Sequence, residues 1–408
     1  MHIRSAPLLA LVVLAAVGSA QNKAKTLDIY FVDTEGGLCA LYVSPTGESL
    51  LVDTGNPGGR DTDREMEVIH AANLKQIDYL VLTHYHGDHV GGLEELAKRI
   101  PIKHFIDHGE SGEHTPAIEA FMKKYAEMYT SANHVVAKPG DKIPISGLNV
   151  EVVTSAQNVL KTPVAGAPGA GKPNPACATF QPRDESRVDP DNRYSVGLVI
   201  ALGKFRTVNL GDFTWNAEQG LMCPNNPIGT VDLYLTSHHG IDQSGSAALV
   251  HGLHPRVAVM HNSTRKGGAI QTMQILHTSP GLEDIWQLHW AYAAGLEQNS
   301  PGLFIANIED AQTMSNVLLN PPPTFGQPGG GGRGPAGAPA AGGTPAPGAA
   351  PAGAPAGAGQ GAARGPGGGR GPGHTGPAFY IKVSAEPDGT FTVTNTRNNF
   401  SKTYAAKK

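Results

Sequence analysis

The sequence predicts an α/β protein in which two packed β-sheets are flanked by helices. Strand-like and helix-like segments alternate through both halves of residues 21–320, and this alternation is typical of sheets covered by helices. Of the 84 glycine and proline residues in the 408-residue chain, 34 fall between residues 321 and 378. The rest of the chain therefore has an ordinary globular composition and is long enough for one large or two small hydrophobic cores.

In the first half, apolar and β-branched runs bounded by turn residues predict strands, and apolar positions three or four residues apart predict helices. The three opening strands are joined by short turns such as Glu35-Gly36-Gly37, which predicts a meander. The predicted strands are residues 27–32, 38–43, 49–52, 77–83, 102–106 and 148–154, and the predicted helices are residues 63–73, 90–100 and 116–129.

The second half begins with a long segment and then returns to alternating elements. Residues 156–192 are proline-rich and have no hydrophobic period, which in a compact domain predicts a surface loop near a site. Strands are then predicted at residues 196–202, 205–210, 232–236, 257–260 and 304–308, and helices at residues 247–253 and 270–277.

The C-terminal part divides into a linker and a hairpin. Residues 321–378 are rich in glycine, proline and alanine and cannot bury apolar surface, so they predict a disordered linker. Residues 379–408 predict a β-hairpin around the turn Pro387-Asp388-Gly389. Because an isolated hairpin is only marginally stable in water, we expect it to dock on the main domain.

The first twenty residues predict a cleaved export signal peptide. His2 and Arg4 provide a short positive start, residues 7–17 are apolar, and small residues precede Gln21. The apolar run is too short for a membrane anchor, because a spanning helix needs about 20 residues. We therefore expect a mature chain that is secreted or periplasmic, with no transmembrane segment.

The cysteine count leaves two arrangements open. Cys39, Cys177 and Cys223 cannot all pair within one chain, so one disulfide with a free thiol and three buried thiols are both consistent with the sequence. No CxxC spacing occurs, which argues against a structural zinc ribbon.

The net charge limits the expected partners. A formal charge of −4 is far from the strongly basic balance typical of tight nucleic-acid binders. Nucleic acid therefore enters only as a candidate substrate, and we expect a small-molecule or phosphodiester substrate. The sequence identifies no partner for the linker.

The segment that follows the strand at residues 77–83 predicts a metal site. His84, His86, Asp88 and His89 lie within six residues, and their nitrogen and oxygen donors suit Zn²⁺ or a mixed first-row pair. His84 and His86 can converge on one ion from the strand end, while Asp88 and His89 face a second ion from the first helical turn. The expected cofactor is therefore two Zn²⁺ ions, with Mn²⁺ or Fe²⁺ as alternatives.

This HxHxDH pattern resembles that of the metallo-β-lactamase-fold hydrolases, and the resemblance extends over residues 27–307. Asp53 resembles the carboxylate that braces the metal loop from behind. Asp212 resembles the carboxylate that bridges both ions, and His261, at the end of a late strand, resembles the final ligand. The resemblance implies a four-layer αββα sandwich with the metals at the sheet edges.

Further motifs in the chain are Glu35-Gly36-Gly37, Asn192-Arg193-Tyr194-Ser195, Gly211-Asp212, and Ser237-His238-His239-Gly240 followed by Ser244 and Ser246. Through these motifs the chain more closely resembles the hydrolase domain of bacterial DNA-uptake competence proteins and secreted choline-phosphate esterases. The histidine that lactamases place after a mid-chain strand is absent near residues 153–155, so the third ligand of the first ion must come from elsewhere. His108 could substitute for it or be a surface histidine.

Three residues are candidates for catalysis: Asp88, His238 and His239. One histidine of the pair would be a ligand or a proton donor to the leaving group, and the other a packing neighbour. We favour His238 as the functional one because it lies nearer the strand end. Arg265 and Lys266, in the loop after the late strand, could hold a substrate phosphate or be solvated.

The sequence thus predicts an exported metal-dependent hydrolase in which water activated by the metal pair attacks a phosphodiester or phosphate ester. One alternative is an amide or ester hydrolase that acts on a lactone or a β-lactam. The other is a metal-stabilised binding module without catalysis, tethered through residues 321–408.

Overall fold

A computed structural model describes residues 26–308 and 377–407 of the chain. The predicted signal peptide at residues 1–20 and nearly all of the predicted linker at residues 321–378 lie outside the described residues. In the part that is described, none of the helices combines the length and apolar character needed to cross a membrane.

The described residues form twenty strands and eight α-helices. The strands are β1 (Leu27–Phe31), β2 (Ala40–Val43), β3 (Ser49–Val52), β4 (Ile77–Val81), β5 (Ile102–Asp107), β6 (Asn133–Val136), β7 (Lys142–Ile143), β8 (Asn149–Ser155), β9 (Asn158–Val159), β10 (Lys172–Pro173), β11 (Gly197–Leu202), β12 (Phe205–Asn209), β13 (Asn225–Asn226), β14 (Leu233–Leu235), β15 (Val257–Met260), β16 (Asp284–His289), β17 (Ile305–Asn307), β18 (Ile381–Ala385), β19 (Phe391–Asn395) and β20 (Phe400–Tyr404). The helices are α1 (Arg60–Ala71), α2 (Gly87–Val90), α3 (Leu93–Arg99), α4 (Pro116–Met128), α5 (Trp215–Met222), α6 (Ala247–Leu253), α7 (Ile270–His277) and α8 (Gly295–Gln298).

Two nine-stranded sheets form the centre of the fold. The first has the order β20-β19-β18-β1-β2-β3-β4-β5-β6, and the second has the order β17-β16-β15-β14-β12-β11-β8-β7 with β9 beside β8. In each sheet an antiparallel part is followed by parallel strands, β3 to β6 in the first and β12 with β14 to β17 in the second. Because the ends of parallel strands meet at one sheet edge, loops from several strands can build one site there.

Three apolar cores hold the layers together. Phe31 of the first sheet and Leu198 of the second belong to one buried cluster, so the sheets pack face to face. Val68 of α1 and Tyr125 of α4 pack on the outer face of the first sheet. Leu249 of α6 belongs to the cluster on the outer face of the second sheet. The predicted sandwich of two sheets flanked by helices is therefore confirmed.

The C-terminal segment adds three strands to the first sheet. β18 pairs antiparallel with β1, and Ile381 lies opposite Phe31. Ile381 and Val383 are fully buried and alternate with the partly exposed Lys382, because successive side chains of a strand face opposite sides of a sheet. β18 and β19 contain the residues for which the sequence predicts a hairpin. β20 was not foreseen.

Strand β16 and helix α5 are also missing from the sequence prediction. β16 contains Gln287 and His289, which are polar yet buried, so the segment lacks a simple hydrophobic pattern. Both side chains have partners: Gln287 Oε1 accepts a hydrogen bond from the Ser300 amide, and His289 Nε2 lies 2.7 Å from Asp33 Oδ1. Tertiary hydrogen bonds therefore compensate for the polar sequence of this strand.

The hydroxyl of Tyr404 links β20 to the second sheet, and we expect its removal to destabilise the fold. It donates to Asp284 Oδ2 at 2.6 Å and accepts from Trp286 Nε1 at 3.0 Å. Tyr404→Phe leaves the buried indole N–H without this partner, so the free energy of unfolding should fall by about 1–3 kcal/mol. Urea unfolding measures this change. Thr403→Val is the control, because it removes an exposed hydroxyl from the same strand, and equal losses in the two variants would contradict the assignment.

Candidate metal centre

The ends of four strands meet at one place between the sheets. Asp53 follows β3 and His84 follows β4 in the first sheet, while Asp212 follows β12 and His238 follows β14 in the second. These four side chains are at most 5 % exposed. Titratable groups that lie far apart in the sequence are thus collected in one buried position.

Asp212 lies at the centre of this group. Its Oδ1 atom is buried and has no hydrogen-bond partner among the described residues. Such an arrangement of an orphaned carboxylate oxygen and converging nitrogen donors fits a cation. Asp212 Oδ2 lies 3.2 Å from His238 Nε2, 3.3 Å from His89 Nε2, 3.4 Å from His239 Nε2 and 3.9 Å from His84 Nε2.

Three of these donor atoms have the spacing of neighbouring ligands in a tetrahedral metal site, and Asp88 lies beside two of them. His89 Nε2, His239 Nε2 and Asp212 Oδ2 are mutually 3.2, 3.3 and 3.4 Å apart. Asp88 Oδ2 is 3.4 Å from His239 Nε2 and 3.8 Å from His89 Nε2. Tetrahedral Zn²⁺ with bonds of about 2.0–2.1 Å places neighbouring donors about 3.3–3.4 Å apart. The donor set therefore fits a Zn²⁺-sized ion.

A second group of donors lies beside the first. His84 Nε2 and His86 Nδ1 face each other at 2.9 Å, and His84 Nε2 is 3.9 Å from Asp212 Oδ2. The structure thus brings His84 and His86 together as the sequence predicts. Asp212 is the carboxylate that both groups share.

Asp53 contacts His89 on the side of the ring that faces away from the other donors. Its Oδ2 lies 2.7 Å from His89 Nδ1, and its two oxygens accept hydrogen bonds from the amide and the hydroxyl of Thr83. A histidine whose Nδ1–H is held by a carboxylate presents its Nε2 lone pair in a fixed direction. Asp53 therefore lies where a brace for the metal loop is expected.

Two further carboxylates contact the loop of residues 84–89 or the segment beside it. No motif in the sequence indicates either of them. Glu113 Oε1 lies 2.9 Å from His86 Nε2, on the side of the ring away from His84. Asp191 accepts hydrogen bonds from the Tyr85 amide at 2.8 Å and the Gly112 amide at 2.6 Å. Asp191 lies in the segment for which the sequence predicts a loop near a site. That prediction was the only signal for it.

We expect Glu113→Gln to weaken metal binding at His84 and His86 by about ten- to a hundredfold, the usual effect of losing an outer hydrogen-bond partner of a ligand. The carboxylate accepts from His86 Nε2 and so fixes the tautomer with Nδ1 free for a metal. Titration of the chelator-treated protein with Zn²⁺ measures the change. Glu110→Gln, an exposed carboxylate three residues earlier, is the control. Equal Zn²⁺ affinity in both variants would contradict the role of Glu113.

His238 and His239 lie on a strained turn. His238 has φ 52° and ψ 44°, and His239 has φ 57° and ψ 8°, so both have left-handed backbone conformations. A non-glycine residue in such a conformation costs about 1–3 kcal/mol and persists mainly at functional sites. Glu218 stabilises the following loop by accepting hydrogen bonds from the amides of Gly245 and Ser246, both at 2.7 Å. Burial raises the pKa of Glu218 to about 8.

His261 does not join the converging group. Its Nε2 lies 2.8 Å from the carbonyl oxygen of Val32, so the ring faces the end of β1. His239 takes the place beside Asp88 and Asp212 that the resemblance assigns to His261. His108 is buried against Tyr85 and lies 3.4 Å from Asp191 Oδ2, and the described contacts do not include it among the converging donors.

Burial and neighbouring charges set the protonation of the site. Burial, with His89 and His86 nearby, holds the pKa of His84 well below its usual range. Burial also opposes a charge on His89, but Asp212 and Asp53 raise its pKa well above the usual value. Burial would raise the pKa of Asp212, but His238 and His89 hold it well below the usual range. Because a proton and a metal exclude each other on His89 Nε2, metal binding should release a proton.

Part of the chain matches a known protein family. Residues 32–177 match the family model of the metallo-beta-lactamase superfamily, and this region includes Asp53 and the HxHxDH motif. The two helix-flanked sheets are consistent with the sandwich fold of this superfamily. Asp212, His238 and His239 lie beyond the matched region. A solved structure of the metallo-beta-lactamase fold protein YhfI from Bacillus subtilis is similar with a TM-score of 0.40 and 12% identity, over 64% of this chain and 96% of that chain.

Two curated proteins share a short similar segment with this chain. The Beta-lactamase-like protein 2 homolog of Caenorhabditis elegans is 38% identical over 68 residues, which cover 15% of this chain and 23% of that protein. A UPF0173 metal-dependent hydrolase of Staphylococcus saprophyticus is 38% identical over 63 residues, covering 15% of this chain and 25% of that protein. The aligned segment thus spans about a quarter of each relative.

Proposed function

We propose that the protein is an exported metal-dependent hydrolase with two metal ions, acting on a phosphodiester or a phosphate ester. The observation that carries the proposal is the position of Asp212 Oδ2, within 3.9 Å of imidazole nitrogens from four different histidines. One carboxylate beside two groups of nitrogen donors is an arrangement that can hold two ions at the spacing of about 3.5–4 Å found in two-metal hydrolytic sites.

In this proposal, His84 and His86 hold the first ion and Asp88, His89 and His239 hold the second, with Asp212 between them. His239 thus replaces His261 as the final ligand. Bound Zn²⁺, or alternatively Mn²⁺ or Fe²⁺, would lower the pKa of a water toward neutrality and polarise the scissile bond. His238 lines the same space, with Nε2 3.2 Å from Asp212 Oδ2.

The substrate class rests on two features. The motif Ser237-His238-His239-Gly240 resembles the competence-protein and choline-phosphate esterase branch, whose substrates contain phosphodiesters. Lys266 also reaches the site, where its Nζ pairs with Asp88 Oδ2. A cationic side chain at the entrance favours an anionic ester over a neutral one.

A hydrolysis panel with the metal-loaded chain tests the function. We expect turnover of bis(4-nitrophenyl) phosphate and none of a chromogenic β-lactam, with Asp212→Ala as the inactive control. Turnover of the β-lactam alone would replace the phosphodiester with the lactone or β-lactam alternative. Absence of turnover with two bound ions would favour the non-catalytic binding module.

The disulfide supports export. Cys177 and Cys223 are bonded, with Cα atoms 5.8 Å apart, and Cys39 is a buried free cysteine. Structural disulfides persist in oxidising compartments such as the periplasm and the extracellular space. We expect protein recovered from the exported fraction to begin at Gln21 and to show one reactive thiol per chain in denaturant without reductant. A chain that retains residues 1–20, or three thiols, would contradict export.

A further inference from the structure

Lys266 and Arg265 are adjacent cations, but only Lys266 faces the site. Its Nζ pairs with Asp88 Oδ2, the same oxygen that lies 3.4 Å from His239 Nε2. The Lys266 side chain is 29% exposed and the Asp88 side chain 24%, so this pair lies at the solvent-facing side of the centre. Arg265 is exposed. The two residues are therefore a natural pair for comparison.

The loop that carries Lys266 is fixed by its own hydrogen bonds. Ser263 Oγ accepts from the amide of Lys266 at 3.0 Å, and the Ser263 amide donates to the Lys266 carbonyl at 2.9 Å. The next residue, Gly267, has φ 98°, and a Cβ there would collide with the carbonyl oxygen of His239. The loop thus lies directly on the backbone of His239. The position of the Lys266 backbone relative to the centre is therefore set by the fold.

The Glu35-Gly36-Gly37 turn packs against the Lys266 side chain and the metal-binding segment. A Cβ on Gly36 would lie 3.2 Å from Cβ and Cδ of Lys266, and Gly36 has φ 85°. A Cβ on Gly37 would lie 2.5 Å from the carbonyl oxygen of Asp88. Glycine is required at both positions because the turn approaches the lysine stem and the metal loop closely. The loop of residues 263–267 and this turn together limit the directions in which the Lys266 side chain can extend.

A metal ion and Lys266 would compete for the same carboxylate. If Asp88 Oδ2 coordinates the ion, the negative charge that the ammonium pairs with is largely neutralised. The ammonium then remains at the entrance with hydrogen-bond donors directed toward the space beside the ion. An anionic oxygen of the substrate can accept these donors without displacing any ligand.

We propose that Lys266 binds a non-bridging anionic oxygen of the substrate's phosphate and thereby selects anionic over neutral esters. This inference rests on the proposed function and names the residue that sets its substrate class. Lys266 is a specificity residue in this scheme. Arg265, although next to it, has no part in substrate binding.

Two measurements on the metal-loaded chain test the proposal. The first compares hydrolysis of anionic bis(4-nitrophenyl) phosphate with that of neutral diethyl 4-nitrophenyl phosphate. The second is calorimetric titration with inorganic phosphate. For Lys266→Gln, we expect kcat/KM for the diester and the affinity for phosphate to fall about ten- to a hundredfold, and turnover of the triester to change less than about twofold. Lys266→Arg should restore most of the loss, and Arg265→Gln should match the wild type.

The outcomes separate this inference from the proposed function. If the wild type hydrolyses the diester but Lys266→Gln does so equally well, the inference is wrong and the function stands. If the wild type hydrolyses neither ester, the proposed function fails, and phosphate titration still decides whether Lys266 binds anions. Equal losses for the diester and the triester in a normally folded variant would show a general role in the metal site and overturn the selectivity.

Discussion

Replacing Asp212 with alanine is expected to abolish hydrolysis and to remove at least one metal ion, while the fold remains. The carboxylate lies among four imidazoles, and its Oδ2 is within 3.9 Å of the nearest nitrogen of each. Two cations about 3.5–4 Å apart repel each other, and a shared anion between them offsets this repulsion by attracting both. We therefore expect activity to fall more than a hundredfold, beyond the roughly ten- to hundredfold effect of losing an outer partner.

Metal analysis and hydrolysis on the same sample of Asp212→Ala measure this effect. Asp184→Ala, an exposed carboxylate, is the control. A buried carboxylate with a purely structural role would instead lower the free energy of unfolding without selective loss of an ion. Two retained ions with near-normal turnover would remove Asp212 from the centre.

The second prediction with a large effect concerns which of His239 and His261 is a metal ligand. We expect His239→Asn to lose one ion and most of the activity, because Nε2 of His239 is within 3.4 Å of Asp88, His89 and Asp212 donors. His261→Asn should keep both ions, since Nε2 of His261 contacts the Val32 carbonyl instead.

Metal content of the two variants decides the assignment. Thermal unfolding of each, in the presence of chelator, reports the structural cost of the substitution separately from metal loss. Both residues are 0% exposed, so some destabilisation is expected in either case. Loss of an ion from His261→Asn but not from His239→Asn would show that His261 is the final ligand, as the sequence resemblance implies.

The contiguous part of the centre could be predicted from the sequence because its geometry is local. His84, His86, Asp88 and His89 follow one buried strand, and the spacing alone places their donors in two groups. The choice between His239 and His261 could not be made in this way. Both follow parallel strands at the same edge. Only the three-dimensional contacts separate them, because Nε2 of His239 lies 3.4 Å from Asp212 Oδ2 while Nε2 of His261 contacts the Val32 carbonyl.

Residues that act across long sequence separations also escaped prediction. Glu113 and Asp191 are single carboxylates in irregular segments, and neither has a motif that distinguishes it from a solvated side chain. They reach the metal loop only because the long segment before β11 folds back over the loop after β5. For the same reason β16 was missed, since Asp33 and Ser300 supply its polar partners from elsewhere in the fold.

We propose that two ions bound around Asp212 perform hydrolysis. The most direct test titrates chelator-treated protein with Zn²⁺ and records bound metal and bis(4-nitrophenyl) phosphate hydrolysis on the same samples. We expect the protein to bind two ions per chain, with hydrolysis appearing as the second ion binds. Binding of clearly less than one ion, or hydrolysis that persists unchanged in the chelator-treated protein, would contradict the claim.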